Sequence, residues 1–395
     1  MAFDLIYLDN SATTQLDPQV VEKMNHFREE NFANAGSVHR GGQRARVALE
    51  DGRDTIAGCI GAEPKEIVFT SGGTEANNYA LKGYAFRVKA TTGSWPTIIT
   101  DRTEHHAILH PAEFLESLGL PVHYVEVTRE GRVTPENLDK LMRSLPNQPA
   151  PPLISIMHAN NETGTINPIR ELAEVTHERG GVIHTDAVQS FGKIPCKVAE
   201  LGVDMMTLSA HKIHGPKGIG LLYVNKELEL ESLIHGGAQE RDRRGGTEGV
   251  ELVVGFAEAA RIAEEKREEA MREVERLSHR LRERLKGIEG VCFVTPEGGT
   301  LPNILNITFN SAEHLDGEGL IVGMDIQGVA VSNGSACTSG SMQPSHVLLA
   351  MGYPPPQAKA AVRFSLSRFT TEAEIDHAAE AMAEQFEIQR ANLKK

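Results

Sequence analysis

The feature that most restricts this chain is an alternation of short apolar runs and amphipathic stretches from about residue 67 to residue 224. Runs at 67–70, 97–100, 122–127, 153–157, 182–186, 205–208 and 219–224 are bounded by polar or turn-forming residues, the pattern of buried strands. Helical patterns lie between them, as at 106–118 and 169–179. Buried strands alternating with helices form a largely parallel sheet covered on both faces, so the predicted fold class is α/β. Ligands of such sheets bind beyond the carboxyl ends of the strands, which directs attention to the residues just after each run.

Downstream, a charged helix is predicted over 250–286, with Met271, Val274, Leu277, Leu281 and Leu285 as its apolar stripe. Shorter elements follow at 303–309, 329–331, 361–366 and from 372, the pattern of a smaller α+β unit. A length of 395 residues suits two domains. The expected division is a large domain over 15–255 and a small one formed by 1–14 with 256–395. A net charge of −14 argues against a nucleic-acid or anionic-membrane surface. No apolar run approaches the roughly 20 residues that span a bilayer. The first residues, Met1-Ala2-Phe3-Asp4-Leu5, lack the basic and apolar regions of a signal peptide. Cys59, Cys196, Cys292 and Cys337 are scattered, which fits a reducing compartment, and the cytoplasm is the expected location.

The strand ends carry the chemistry. Ser209-Ala210-His211-Lys212-Ile213-His214-Gly215-Pro216 joins the last two apolar runs and places Lys212 in the turn between them. A lysine desolvated there has a lowered pKa and a nucleophilic neutral amine, as Schiff-base lysines require. A solvated turn lysine is the competing reading. A phosphate loop fails for want of the right glycine order, and a metal pair from His211 and His214 lacks further ligands. After 67–70 comes Ser71-Gly72-Gly73-Thr74 opening a helix, either an N-capped turn or a cradle for an anion. Asp186 ends its strand where it can pair with a pyridinium nitrogen, as a pyridoxal cofactor needs, and Gln189 follows within reach of the ring's phenolic oxygen. His105, after the 97–100 run, can stack on a flat cofactor or shuttle protons. Cys337 lies in the polar loop Ser332-Asn333-Gly334-Ser335-Ala336-Cys337-Thr338-Ser339-Gly340, where a thiol is accessible, whereas the other three cysteines read as inert. Arg363 sits within an apolar strand, a costly position unless it pairs, and a carboxylate clamp supplies the pair.

These residues resemble the cysteine desulfurases, the NifS/IscS-like branch of the fold-type I pyridoxal-phosphate enzymes among the class V aminotransferases. The likeness runs from Tyr7-Leu8-Asp9-Asn10-Ser11-Ala12-Thr13-Thr14 to Arg363-Phe364-Ser365. Its most specific pieces are Met157-His158-Ala159-Asn160-Asn161-Glu162-Thr163-Gly164, the Lys212 turn and the Cys337 loop. The resemblance implies a mostly parallel seven-stranded sheet with a smaller α+β domain, and pyridoxal 5'-phosphate carried on Lys212. It implies that Asp186 and Gln189 meet the ring, that His105 stacks on it, and that Gly73, Thr74, Ser209 and His211 meet the phosphate. Asn160 then holds ring and substrate, and Arg363 holds the carboxylate of L-cysteine. Thr247, in Gly246-Thr247-Glu248, reaches the partner's phosphate across a homodimer. Lys212 moves the Cα proton, Cys337 takes the sulfur as a persulfide, and His105 assists its deprotonation. The products are L-alanine and sulfur for an acceptor protein such as an iron–sulfur scaffold, serving iron–sulfur clusters or another sulfur cofactor.

The chain departs from the family at Asn34-Ala35-Gly36-Ser37, at Gly237-Ala238-Gln239, at Gly245-Gly246 and at Ser367, none of which removes a catalytic group. Its last residues, Arg390 to Lys395, differ from the tail that housekeeping relatives use to dock a scaffold. An aminotransferase or a selenocysteine lyase of the same fold is the alternative enzyme, and a cofactor-free docking protein the alternative outside enzymes.

Overall fold

The computed structural model describes residues 5–146, 150–310, 312, 315–334 and 343–393. Twelve strands occur among them: β1 (Ile6–Tyr7), β2 (Ile67–Thr70), β3 (Ile98–Asp101), β4 (Val122–Val125), β5 (Leu153–Ser155), β6 (Val182–Asp186), β7 (Met205–Ser209), β8 (Gly220–Val224), β9 (Val291–Phe293), β10 (Ile304–Phe309), β11 (Val329–Ala330) and β12 (Val362–Ser365). Seven form one sheet in the order β2-β8-β7-β6-β5-β3-β4. Strand β8 runs antiparallel to both its neighbours, and the other described pairings in this sheet are parallel. The six remaining strands therefore end on one edge, with Thr70, Asp101, Val125, Ser155, Asp186 and Ser209 as their last residues.

The alternation of side chains along each strand builds a core on both faces. Ile99, Ile154, Met206 and Leu221 join one apolar cluster, whereas their neighbours Ile98, Leu153, Met205 and Leu222 join the other. A strand buried on both sides has no polar face to show, which is why these runs read as unbroken apolar stretches.

The helix Val250–Leu285 links two cores. Its residues Val250 to Ala263 pack into the large-sheet cluster, and Val274, Leu277, Leu281 and Leu285 pack into a separate cluster with Leu305, Phe309, Phe364 and Phe386. That second core covers the antiparallel sheet β12-β10-β9. We propose that the division between the two domains lies where the packing partner changes, between Ala263 and Val274. The helix's solvent face carries pairs such as Arg261–Glu265 and Arg276–Glu273, which water screens, so they add little to stability.

The N-terminal segment sews the two units together. β1 pairs with β11, Asn10 N–H donates to the Ser365 carbonyl (3.2 Å), and Thr14 N–H donates to the His211 carbonyl (2.9 Å). Ser11 and Ala12 are thereby laid over the carboxyl edge of the large sheet. The 21-residue helix Arg40–Ile60 is an element that the sequence-based expectations omit. Its buried face mixes the small residues Gly42, Ala45, Gly52 and Ala57 with Leu49, Ile56 and Ile60 and includes the charged Arg53, which breaks up the apolar stripe. Gly52 packs directly on Val253 of the long helix.

Candidate active site

At the carboxyl edge of the large sheet lies a cavity of about 600 Å3. Gly73 and Thr74 follow β2, His105 follows β3, Asp186 ends β6 with Gln189 beyond it, and Ser209 ends β7 with His211 and Lys212 beyond it; all of them line this cavity. Arg363, from β12 of the second sheet, lines it from the opposite side.

Lys212 donates its ammonium hydrogens to the carbonyls of Ser11 and Ala12, the latter at 2.6 Å. Burial, aided by the positive charges of Arg363 and Lys193, brings its pKa down to about 7, against the opposing pull of Asp9 and Asp186. The neutral amine is thereby favoured relative to an ordinary lysine, which makes a nucleophile available without a separate base. The carboxylate of Asp186 is fixed by two donors, Asn77 Nδ2 at 2.6 Å and the Val188 backbone N–H at 2.9 Å. Asn77 is one helical turn beyond Thr74, and that spacing is the signal from which it was available. Gln189 donates through Nε2 to the Ser11 carbonyl at 2.9 Å, while its Oε1 has no partner.

Arg363 is 2% exposed. Its Nη2 pairs with Asp9 (2.8 Å) and its Nη1 donates to the Asn161 carbonyl (2.9 Å), while Nε is unpartnered. A protein carboxylate thus already offsets part of the cost of burying the guanidinium, and the free donor remains for a ligand.

His105 caps the helix His106–Ser117, and its Nδ1 accepts from the Ala107 N–H at 3.0 Å. Burial lowers its pKa, so the ring is neutral, and with Nδ1 accepting, the one ring proton sits on Nε2. That nitrogen is a donor, which suits ring stacking. His346 has the opposite arrangement: its Nε2 donates to the Glu104 carbonyl at 2.9 Å. It lines the same cavity, packed against His106 with ring centroids 4.4 Å apart.

Two predicted residues stand elsewhere. Asn160 does not line the cavity: its Oδ1 accepts from the Glu162 and Thr163 N–H groups and its Nδ2 donates to the Thr103 carbonyl. These bonds make it the brace of a tight turn, and the next residue, Asn161, faces the cavity instead. Thr247 is exposed and off this cavity. Cys337 lies outside the described residues. Burial pushes the thiols of the other three cysteines up, to about 11 for Cys59 and about 12 for Cys196, which leaves them poor thiolates.

Sequence reading also missed Glu162, which holds both ends of the segment bearing Cys337. Gly334, at φ +93°, lies so close that an added Cβ would meet the Glu162 carboxyl at 2.6 Å. On the far side, the Ser345 hydroxyl donates to Glu162 Oε2 and caps the helix His346–Ala350 through the Leu348 N–H. Burial raises the Glu162 pKa. A glutamate beside an Asn-Asn turn reads as a surface charge, so sequence gave no hint of this place.

The profile of the aminotransferase class-V family matches residues 6–377. The chain belongs to that family. Among its relatives is a cysteine desulfurase IscS of Dictyoglomus turgidum, 45% identical over 94% of this chain and 92% of the relative. Another, from Methanosarcina thermophila, is 42% identical over 96% of this chain and 91% of the relative. Of solved structures, a NifS-like protein superposes with a TM-score of 0.89 at 37% identity, covering 97% of this chain and all of that one. SspA in complex with cysteine does so at 0.79 and 33% identity, covering 92% and 99%. Class-V enzymes of this kind depend on pyridoxal phosphate, and the cavity suits that group. Gln189 Oε1, Ser209 Oγ and Asn77 Oδ1 are buried, unpartnered polar atoms on residues that line it, a set of groups that a polar ligand would satisfy.

Proposed function

We infer that this chain is a pyridoxal phosphate-dependent cysteine desulfurase, which takes sulfur from L-cysteine and leaves L-alanine. The observation that carries the reading is the Lys212 amine, poised near neutrality in one cavity with Asp186 and Arg363. Gly73, Thr74, Ser209 and His211 would hold the phosphate, Asp186 the ring nitrogen, Gln189 the phenolic oxygen and His105 the ring face. Asn161 takes the place that we first expected for Asn160, whose part is to position it. When bound, pyridoxal phosphate supplies an electron-withdrawing ring that stabilises negative charge at the substrate's Cα.

The chain's own groups do the rest. Arg363 holds the substrate carboxylate, and the neutral Lys212 amine takes the Cα proton. The thiolate of Cys337 attacks the substrate sulfur: a sulfur–sulfur bond forms, the bond from sulfur to Cβ breaks, and its electron pair stays with Cβ. Protonation at Cβ and return of a proton to Cα from Lys212 complete alanine and leave the extra sulfur on Cys337 as a persulfide. With the thiol pKa values of Cys59, Cys196 and Cys292 all raised, Cys337 is the remaining candidate. Its proton acceptor is proposed to be His105, with His346, which lines the same cavity, as the second candidate.

The acceptor of that sulfur is proposed to be a protein such as an iron–sulfur scaffold, the location the cytoplasm and the working unit a homodimer. Exposure of Thr247, and of Phe32 (98%) and Val38 (91%) on the loop between the first two helices, supports a covering second copy. No helix among the described residues is long and apolar enough to cross a membrane. The test is incubation of the holoenzyme with L-cysteine and a reductant. Alanine and sulfide in equal amounts are expected. A keto acid without sulfide would favour an aminotransferase, and turnover confined to selenocysteine would favour the lyase.

A further inference from the structure

Behind Lys212 sits a second lysine, which does not line the main cavity. Lys193 lies in the tight turn that follows Gln189, and its backbone N–H donates to the Ser190 carbonyl at 3.0 Å. Its ammonium donates to the Gln189 carbonyl at 2.7 Å and reaches the Lys212 carbonyl at 3.4 Å. One side chain therefore bridges the two turns that present Asp186 and Gln189 on one side and His211 and Lys212 on the other. Gly192, at φ +74°, allows the turn to close: a Cβ there would meet Ile213 and Ala263 at 2.9 Å.

The charges around this pair are lopsided. Lys193 and Lys212 share a small rear cavity of about 30 Å3, which Lys266, Arg267 and Arg368 also line and no carboxylate does. Arg267 and Arg368 are paired with Glu264 and Asp17, but Lys193 makes no ion pair among the described residues. The carboxylates near Lys212, Asp9 and Asp186, belong to the front, where Arg363 and the neutral ring of His105 also face it. Of the other titratable groups near Lys193, Cys196 is a buried neutral thiol, burial lowers the pKa values of His211 and His214, and Glu268, Glu275, His279 and Glu297, with Arg272 and Arg282, line an outer cavity that Lys193 also reaches without forming an ion pair there among the described residues. An uncompensated ammonium behind an amine disfavours a second proton on that amine.

We propose that Lys193 is a positioning residue for Lys212, clasping the two strand-end turns together and, through its unpaired positive charge, favouring the neutral amine. Burial brings the pKa of Lys193 itself down to about 8, so at pH 7 it still carries that charge. The inference rests on Lys212 being the lysine that carries pyridoxal phosphate.

The experiment is a pH titration of the visible absorbance band of the holoenzyme in the parent, Lys193→Met, Lys193→Gln and Lys193→Arg forms. Removing the charge should move the midpoint upward, by roughly half a unit to one unit in the Met and Gln forms, while the Arg form stays near the parent. The pH dependence of Lys212 acetylation in the cofactor-stripped full chain, read by mass spectrometry, should move the same way. A midpoint unmoved in the Met and Gln forms, whatever happens to turnover or thermal stability, would overturn the proposal and leave Lys193 a packing residue. Gln provides the readout if Met does not fold. A parent band that survives Lys212→Ala would instead overturn the underlying assignment, so the two failures are distinguishable.

Discussion

The two walls of the cavity are built by different means. The wall at the carboxyl edge of the large sheet comes from strand ends whose cores are closed on both faces, and its polar groups are tied by short local bonds, as Asp186 is by Asn77 and Val188. The opposite wall comes from a separate three-stranded sheet with its own core, and it offers one guanidinium, Arg363, and the stems of the Cys337 segment on Glu162. The first wall suits a cofactor that stays; the second suits a substrate that comes and goes. A rigid seat and an independently supported clamp let binding and sulfur transfer be altered separately.

Mutations can break or sharpen that contrast. Lys212→Ala, on the sheet wall, should abolish both the visible band and turnover, with a loss of about a thousandfold or more in kcat; retained colour bound elsewhere would break the assignment of that wall. Arg363→Ala should leave the band intact and lower kcat/KM for L-cysteine by on the order of a hundredfold, since a charge-assisted clamp is lost. Because Asp9 then loses its partner, some thermal stability should go as well. Glu162→Ala should lower sulfur transfer by roughly tenfold, with the band unchanged, because the hydroxyl of Ser345 loses its acceptor. If that variant sheds its cofactor, the walls are not independent.

The smallest effect concerns pH. His184 lies wholly inside the sheet wall, between Ser155 Oγ (2.9 Å) and Thr207 Oγ1 (3.0 Å), and burial lowers its pKa to about 3. An imidazole whose folded pKa is depressed binds its proton first in the unfolded chain. Stability is therefore full above the unfolded value near 6.5 and falls as pH drops toward 3, by roughly 2 kcal/mol at pH 5 for this one group. Thermal melts at pH 5 and pH 7.5 should differ by less in His184→Gln than in the parent.

Much of the sheet wall was legible in the sequence. Strands buried on both faces appear as plain apolar runs, and the residue that ends each run is placed by the strand itself, which is how Asp186 and Lys212 stood out. The turns beyond the strand ends were harder. In the turn after β5 nothing local decides whether Asn160 or Asn161 faces inward; that is set by which of them braces the turn. The contacts of Glu162 and Lys193 leave no local sign in the sequence, because their partners, Ser345 and the Gln189 and Lys212 carbonyls, are brought to them only by the fold. The tautomers of His105 and His346 depend on single backbone groups and leave no trace in residue type.

The account's central claim is that the cofactor on Lys212 frees a sulfur that Cys337 receives. Its most direct test mixes the parent and Cys337→Ala holoenzymes with one equivalent of L-cysteine, without reductant, and reads peptides by mass spectrometry alongside free alanine. The parent should gain one sulfur atom on the Cys337 peptide and release a matching amount of alanine, while the variant keeps its visible band and gains none. Sulfur found instead on Cys59, Cys196 or Cys292, or undiminished alanine and sulfide release by Cys337→Ala, would contradict it.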